Sequence, residues 1–142
     1  MILGKAVDWR LIPQLPCKIQ LLKLPKKEGA FHDFDAFEDL VAAAQKTDER
    51  STLVLLLGGE AGLRMGEIIA LRWPQVDLKR KMLMVSESEW RGHVTPPKNS
   101  RSRQIPMTDR LYRALRAHRH LRGERVLYRD DGETPTERTI RG

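Results

Sequence analysis

Two positively charged side chains, Arg64 and Lys98, are the residues of this sequence best suited to chemistry on an anion. Arg64 follows the apolar stretch STLVLLL at 51–57, and its guanidinium cannot in practice lose its proton. A planar guanidinium can bind two oxygens of one phosphate, and an ammonium can give a proton to an oxygen that leaves it. Because Gly62 and Gly66 flank Arg64, we expect bare backbone there that a bulky ligand can approach closely.

A salt bridge is the structural alternative for Arg64. Glu67, three residues later in the same predicted turn, and Glu60 are both candidate partners. The spacing alone favours such a pair. The flanking glycines, the free N–H groups of a short helix predicted to start near Met65, and the second cation at Lys98 favour an anion site.

The positive charge lies in the second part of the chain. Residues 1–50 are neutral overall, and residues 51–142 carry the whole net charge of +7. Residues 98–122 contain eight basic side chains, seven of them arginine, against the single acidic Asp109. A solvated helix face would account for such a run, and so would a polyanionic partner, most plausibly nucleic acid.

Several classes of protein and site are not indicated. One cysteine, Cys17, excludes an internal disulfide framework, and no apolar run approaches the ~20 residues of a membrane helix. The N-terminus lacks the pattern of a signal peptide, so we expect a cytoplasmic protein. The four histidines lack the spacing of metal ligands, so we expect no metal ion. The sequence has no nucleotide-binding glycine loop, so we expect no cofactor.

Hydrophobic periodicity predicts the elements that position these residues. Residues 1–12 have the pattern of a helix end and 15–29 that of an extended connector. Asp33 or Asp35 caps the next helix, and a buried helix over 49–61 ends at Gly62. The further predicted elements are the short helix from Met65 to about Trp73, strands over 81–87, 90–96 and 103–105, a helix over 108–121 with arginines on one side, and a last helix capped by Thr136. The prediction is a mostly helical α+β fold with a small three-stranded antiparallel sheet.

The motifs AGLRMGEIIALRWPQVDL (61–78) and PKNSRSRQIPM (97–107) resemble two blocks of the tyrosine recombinases, the phage-integrase-like family. The order of helix, hairpin sheet and helix is also similar. The resemblance covers about residues 31–141. It divides the chain into a preceding helix end and connector over 1–30, and the N-terminal portion of a recombinase catalytic domain over 31–142.

The resemblance implies that the parent protein breaks and rejoins double-stranded DNA through a 3′-phosphotyrosyl intermediate, without metal or cofactor. Arg64 matches the first catalytic arginine, Lys98 the hairpin lysine and Glu67 the supporting acidic residue. The remaining basic side chains expected to contact DNA phosphates are Arg91, Arg101, Arg103, Arg113 and Arg116. Other recombinase protomers, in a bacterial, phage or mobile-element setting, are the expected protein partners.

Parts of the family pattern are missing. The chain has no H-x-x-R block, and HRHLR at 118–122 has the wrong spacing and is interpreted as part of the basic helix. Tyr112 and Tyr128, the two tyrosines, are expected to pack rather than to act as nucleophile. The sequence therefore indicates an incomplete catalytic domain that is inactive alone. The alternatives are a non-catalytic nucleic-acid-binding module or regulatory relic with the same basic surface, and a fragment that associates with itself.

Overall fold

The chain divides into two units, Met1–Phe31 and His32–Gly142. The computed structural model describes residues 2–15, 33–96, 102–129, 131, 135–136 and 140. In the first unit, helix α1 spans Ile2–Asp8, ending earlier than the predicted limit at residue 12. Most of the predicted connector at 15–29 lies outside the described residues.

Aspartates begin the two long helices of the second unit. Asp33 precedes α2 (Phe34–Thr47), and its carboxylate accepts a hydrogen bond of 2.8 Å from the N–H three residues later. Asp48 does the same at the start of α3 (Glu49–Gly59). Such a carboxylate satisfies an N–H that has no partner within the helix, so of the two predicted caps for α2 the chain uses Asp33 rather than Asp35.

The core of this unit forms where α3 packs against α2 and against α5 (Asp109–Ala117). Its buried side chains are mostly leucine and valine from these helices, from one strand and from the segments around residues 71 and 127. The largest of them are Leu53, Leu56, Leu57, Leu71, Leu83, Leu111, Leu115 and Leu127. The predicted buried helix at 49–61 is confirmed, with Leu56 and Leu57 almost completely shielded from solvent.

A glycine turns the chain from α3 toward Arg64. Gly62 has a φ of 63°, in the left-handed region where a Cβ is disfavoured, and the N–H of Leu63 donates to the carbonyl of Leu57 at 3.0 Å. Helix α4 then spans Met65–Ala70, with Arg64 as its N-cap residue. The helix is shorter than predicted, because a separate 3₁₀ turn covers Trp73–Gln75.

The strands form a three-stranded antiparallel sheet and a separate hairpin. The strands are β1 (Val76–Asp77), β2 (Met82–Val85), β3 (Ser88–Trp90), β4 (His93–Thr95) and β5 (Arg103–Pro106). The sheet has the order β1-β2-β5, and β3 pairs only with β4. The α+β fold with a small three-stranded sheet is confirmed.

The predicted membership of that sheet was wrong in one strand. Residues 90–96 were expected to pair within the sheet, but Arg91 and Gly92 form a tight turn with φ values of 49° and 81°. Two positive φ values in a two-residue loop are those of a hairpin turn, which folds β4 back onto β3. Val76–Asp77 takes the third place in the sheet.

Gly66 allows α4 to lie against β3. A Cβ at Gly66 would be 2.6 Å from the Ser88 hydroxyl and 2.7 Å from the Glu89 carbonyl, whereas at Gly58, also helical, it would make an ordinary contact of 3.8 Å with Ile68. We expect Gly66→Ala to lower the free energy of unfolding by about 1–3 kcal/mol through steric overlap. Gly58→Ala, the matched control, should be neutral or stabilising by about 0.5–1 kcal/mol. Urea denaturation measures both, and equal effects would contradict the close approach.

Helix α5 exposes Arg113 and Arg116 to solvent. The Thr108 hydroxyl accepts from the Leu111 N–H at 3.1 Å and caps the helix. The helix ends at Ala117 rather than near 121, because the His118 ring turns inward and its Nε2 lies 3.1 Å from the Val126 carbonyl oxygen. Residues 118–122 are therefore not a continuation of the basic helix. Among the described residues, no helix combines the length and the apolar character needed to cross a membrane.

Candidate functional site

Glu67 is a buried carboxylate held by Arg103. It lies in the first turn of α4, and its side chain is only 1% exposed. The Arg103 guanidinium, on β5, donates from Nη1 to Oε1 at 2.9 Å and from Nη2 to Oε2 at 2.8 Å. Such a two-pronged pair fixes both side chains in one plane. It also ties α4 to the sheet.

Arg64 is held by the same carboxylate but faces solvent. Its backbone N–H donates to Glu67 Oε2 at 2.8 Å, and its Nη1 lies 3.3 Å from Oε1. Its side chain is nevertheless 65% exposed. The predicted alternative of a Glu67 pair is thus present, but it anchors the guanidinium without enclosing it. Among the described residues, Glu67 is the only recorded partner of this guanidinium, so its other nitrogens can bind a further anion.

The charges at this cluster favour an anion. Hydrogen bonds from Arg103 outweigh the effect of burial and lower the pKa of Glu67 to about 2, with a further contribution from the Arg64 N–H. The same pair raises the pKa of Arg103. Glu67 is therefore ionised at neutral pH. One carboxylate balances only one of the two guanidinium groups, so a net positive charge is left on the exposed Arg64.

Of the other predicted site residues, some lie outside the described part of the chain and others lie on β5 and α5. Lys98 and Arg101 lie within 97–101, outside the described residues, so their predicted roles stay predictions. Arg103 binds Glu67 through its guanidinium, and its predicted contact with phosphate stays a prediction. Arg113 and Arg116 are exposed on α5, and the convergence of Arg64 and Lys98 on one phosphate stays a prediction.

Arg91 lies at the turn of the β3–β4 hairpin. It is exposed, and its guanidinium carbon lies 4.7 Å from the centre of the Trp90 ring. Trp90 itself is 61% exposed. The hairpin holds Trp90 away from the buried core. Gly66 differs from expectation, since β3 fills the open side of its backbone.

An arginine that sequence reasoning missed holds three elements together. Arg110, on α5, donates from Nε to Glu60 Oε1 at 2.6 Å and from Nη2 to Glu38 Oε1 at 2.9 Å. These hydrogen bonds raise its pKa and lower that of Glu38. Not all of the basic stretch is therefore available to a polyanion. No local signal identifies Arg110, because its partners are 50 and 72 positions away.

The two tyrosines lie in packed surroundings. Tyr128 stacks with His118 at 5.7 Å between ring centres and meets the edge of His120 at 4.3 Å. Tyr112 is half-buried on α5 beneath the Lys81 ammonium, 5.1 Å from its ring centre. Neither hydroxyl is placed beside Arg64 by any contact in the structure. Among the described residues there is also no cluster of three or more histidine, cysteine or carboxylate side chains that could hold a metal ion.

Comparisons with known proteins agree with this architecture. The model of the phage integrase family matches residues 31–141. The Tn1549 transposon integrase in complex with a circular intermediate DNA superposes with a TM-score of 0.76 at 20% identity, over 96% of this chain and 50% of that one. The same integrase with transposon right end DNA gives 0.75 at 22% identity, over 94% and 49%. XerA recombinase gives 0.66 at 20% identity, over 82% and 41%.

The solved structures that this chain matches are longer than the chain itself. The chain spans about half the length of the solved structures that it matches, and no curated protein matches it significantly. At identities near 20% the superpositions establish the fold alone. The family model, in contrast, covers most of the chain, including Arg64, Glu67 and Arg103. This chain therefore belongs to the phage integrase family, the tyrosine recombinases.

Proposed function

We propose that this chain supplies the phosphate-binding part of the catalytic centre of a site-specific DNA recombinase. The observation that carries the proposal is the state of Arg64: its backbone and one nitrogen are fixed by a buried carboxylate, while most of its side chain is open to solvent. A fixed guanidinium that faces outward is ready to bind an anion without reordering. The solved Tn1549 integrases hold DNA, which supports a DNA phosphate as that anion.

Arg64 would act on the phosphodiester that is cut. As a tyrosine hydroxyl attacks phosphorus, its proton would pass to a base in the remaining portion of the domain. Negative charge then grows on the non-bridging oxygens, and Arg64 would bind them in that state more tightly than in the ground state. The bond from phosphorus to the 5′ oxygen then breaks. Lys98 would give that oxygen its proton, leaving a 5′-hydroxyl and a 3′-phosphotyrosyl link. Attack by a 5′-hydroxyl reverses these steps and rejoins the DNA.

The nucleophile would come from outside this sequence. Tyr128 packs between two imidazoles, and Tyr112 is half-buried on α5. We infer that the chain binds duplex DNA but does not cut it without the remainder of the domain. The expected location is the cytoplasm, in a bacterial, phage or mobile-element system. Further recombinase protomers are the expected protein partners.

A reconstitution tests the catalytic proposal. The chain is mixed with a polypeptide that carries the remaining portion of the domain with its tyrosine, and with a suicide duplex that traps the cleaved strand. We expect a covalent protein–DNA adduct on a denaturing gel, and none with either polypeptide alone. Circular dichroism and co-elution establish that the pair is folded and assembled. A folded, assembled pair that binds DNA but forms no adduct would favour the non-catalytic module.

DNA binding by the chain alone is measured separately. Anisotropy of a labelled duplex should show an affinity that falls at least tenfold between about 50 and 200 mM salt, because several phosphates are neutralised on binding. An absence of binding at low salt would overturn both the recombinase and the module.

A further inference from the structure

The β3–β4 hairpin exposes a flat apolar surface beside a cation. Trp90 is 61% exposed, and the adjacent Arg91 guanidinium stacks on its ring at 4.7 Å. Val94 on the same hairpin is also exposed. A tryptophan side chain contributes most to binding when it is buried against a partner, and here a cation and a second apolar residue lie beside it.

The hairpin holds this surface rigidly. Its two-residue turn is formed by Arg91 and Gly92, and Trp90 pairs with His93 directly across the ladder. The other end of β3 lies against α4, where Gly66 leaves room for Ser88 and Glu89. The tip therefore keeps a fixed position relative to the first turn of α4. Arg64 is the residue that begins that turn.

A groove separates the hairpin tip from α4. Its volume is about 480 Å³, and Trp90, Arg91 and Gly92 line one side while Met65, Gly66 and Ile69 line the other. Pro135 and Thr136 complete the lining. Met65 and Gly66 directly follow Arg64, so the groove lies along the first turn of the helix that Arg64 begins.

The charge of the groove suits a polyanion. Among the described residues that line it, one is acidic: Glu89 is nearly buried and lies 2.6 Å from the Arg125 guanidinium, which neutralises it. Arg91 is left as the exposed charge at the tip. A cation next to an aromatic ring matches the DNA backbone, in which each charged phosphate is followed by an apolar deoxyribose.

We propose that the Trp90–Arg91 tip is a second DNA contact, in which Trp90 lies against a deoxyribose and Arg91 binds the neighbouring phosphate. This inference rests on the proposed function, because it places the strand by its phosphate on Arg64. It adds an apolar component to an interface whose other predicted contacts are ionic. This apolar contact distinguishes the tip from a surface that binds DNA through charged side chains only.

Two pairs of variants test the tip by anisotropy of a labelled duplex at several salt concentrations. Trp90→Ala should weaken binding about tenfold with an unchanged salt slope, because an apolar contact releases no counterion. Arg91→Gln should reduce the salt slope by about 1. Trp9→Ala and Arg80→Gln, at an exposed tryptophan and an exposed arginine elsewhere, are the matched controls and should change binding little.

A second measurement does not depend on an alanine variant. In Trp9→Phe protein, DNA should quench the tryptophan emission, and the further change Trp90→Phe should abolish the quenching. If wild-type protein binds DNA but Trp90→Ala behaves like Trp9→Ala and no quenching occurs, the inference fails and the proposed function stands. Loss of self-association in sedimentation, with unchanged DNA affinity, would assign the tip to a second copy instead. Absence of any DNA binding would overturn the proposed function and the inference together.

Discussion

Replacement of Glu67 by glutamine should lower the free energy of unfolding by about 3 kcal/mol or more. The carboxylate accepts both hydrogen bonds of the Arg103 fork and the N–H of Arg64, and its side chain is 1% exposed. A glutamine amide offers one acceptor oxygen and directs two N–H donors at the Arg103 donors, which leaves a partly buried charge without its partner. Urea denaturation followed by circular dichroism measures the loss. Typical domains have only about 5–15 kcal/mol in total.

Glu124→Gln is the matched control for that change. Glu124 also accepts a hydrogen bond from an arginine, Arg72, at 3.0 Å, but its side chain is 72% exposed. Solvent screens such a pair, so the same substitution should cost less than about 1 kcal/mol. Equal losses in the two variants would show that burial of Glu67 contributes nothing.

Ionisation of Glu67 should also make the free energy of unfolding depend on pH. The pKa of Glu67 falls from 4.5 in an unperturbed carboxyl to about 2 in the folded protein, because Arg103 and the Arg64 N–H bind the ionised form. A lowered pKa stabilises the fold above about pH 4.5, and the stabilisation disappears as the pH falls to about 2. The shift corresponds to about 3 kcal/mol. The difference in stability between wild type and Glu67→Gln should therefore shrink over that range, and a constant difference would contradict the assignment.

Local signals in the sequence identified the starts of α2 and α5 and the turn after α3. Asp33 and Thr108 accept hydrogen bonds from an N–H three residues later, and Gly62 has a positive φ, so each effect is contained within a few residues. The strands were less predictable. Residues 90–96 have the pattern of a strand but turn at Arg91, a residue that seldom adopts a φ of 49°.

The site likewise contains one pair that local spacing predicts and one pair that only the fold creates. The pairing of Arg64 with Glu67 spans three residues and follows from helical geometry. The pairing of Arg103 with Glu67 spans 36 residues and exists only because the fold brings β5 within side-chain reach of α4. From composition alone Arg103 counts as one more basic residue near a hairpin. Only the fold distinguishes it from arginines that face solvent.

Replacement of Arg64 by glutamine should reduce strand cleavage in the reconstituted mixture by about 10²–10³-fold. Arg64 would bind the phosphate oxygens as they gain charge, so its loss raises the barrier more than it weakens DNA binding. Affinity for duplex DNA should fall only a few-fold. Stability should change by less than about 1 kcal/mol, because the side chain is 65% exposed and its bond to Glu67 is 3.3 Å long. Single-turnover adduct formation, anisotropy and urea denaturation measure the three effects.

Arg80→Gln and Arg64→Lys decide how that result is interpreted. The Arg80 side chain is 84% exposed and lies beside Asp77. Because Arg80→Gln removes the same charge as Arg64→Gln, but elsewhere on the surface, the cleavage rate should stay within a few-fold of wild type. Arg64→Lys keeps the charge but not the planar fork, and should remain strongly impaired. If lysine restores the rate, the site needs only a positive charge. If Arg64→Gln and Arg80→Gln behave alike, Arg64 is one surface cation among many, and the chain is a DNA-binding module rather than part of a catalytic centre.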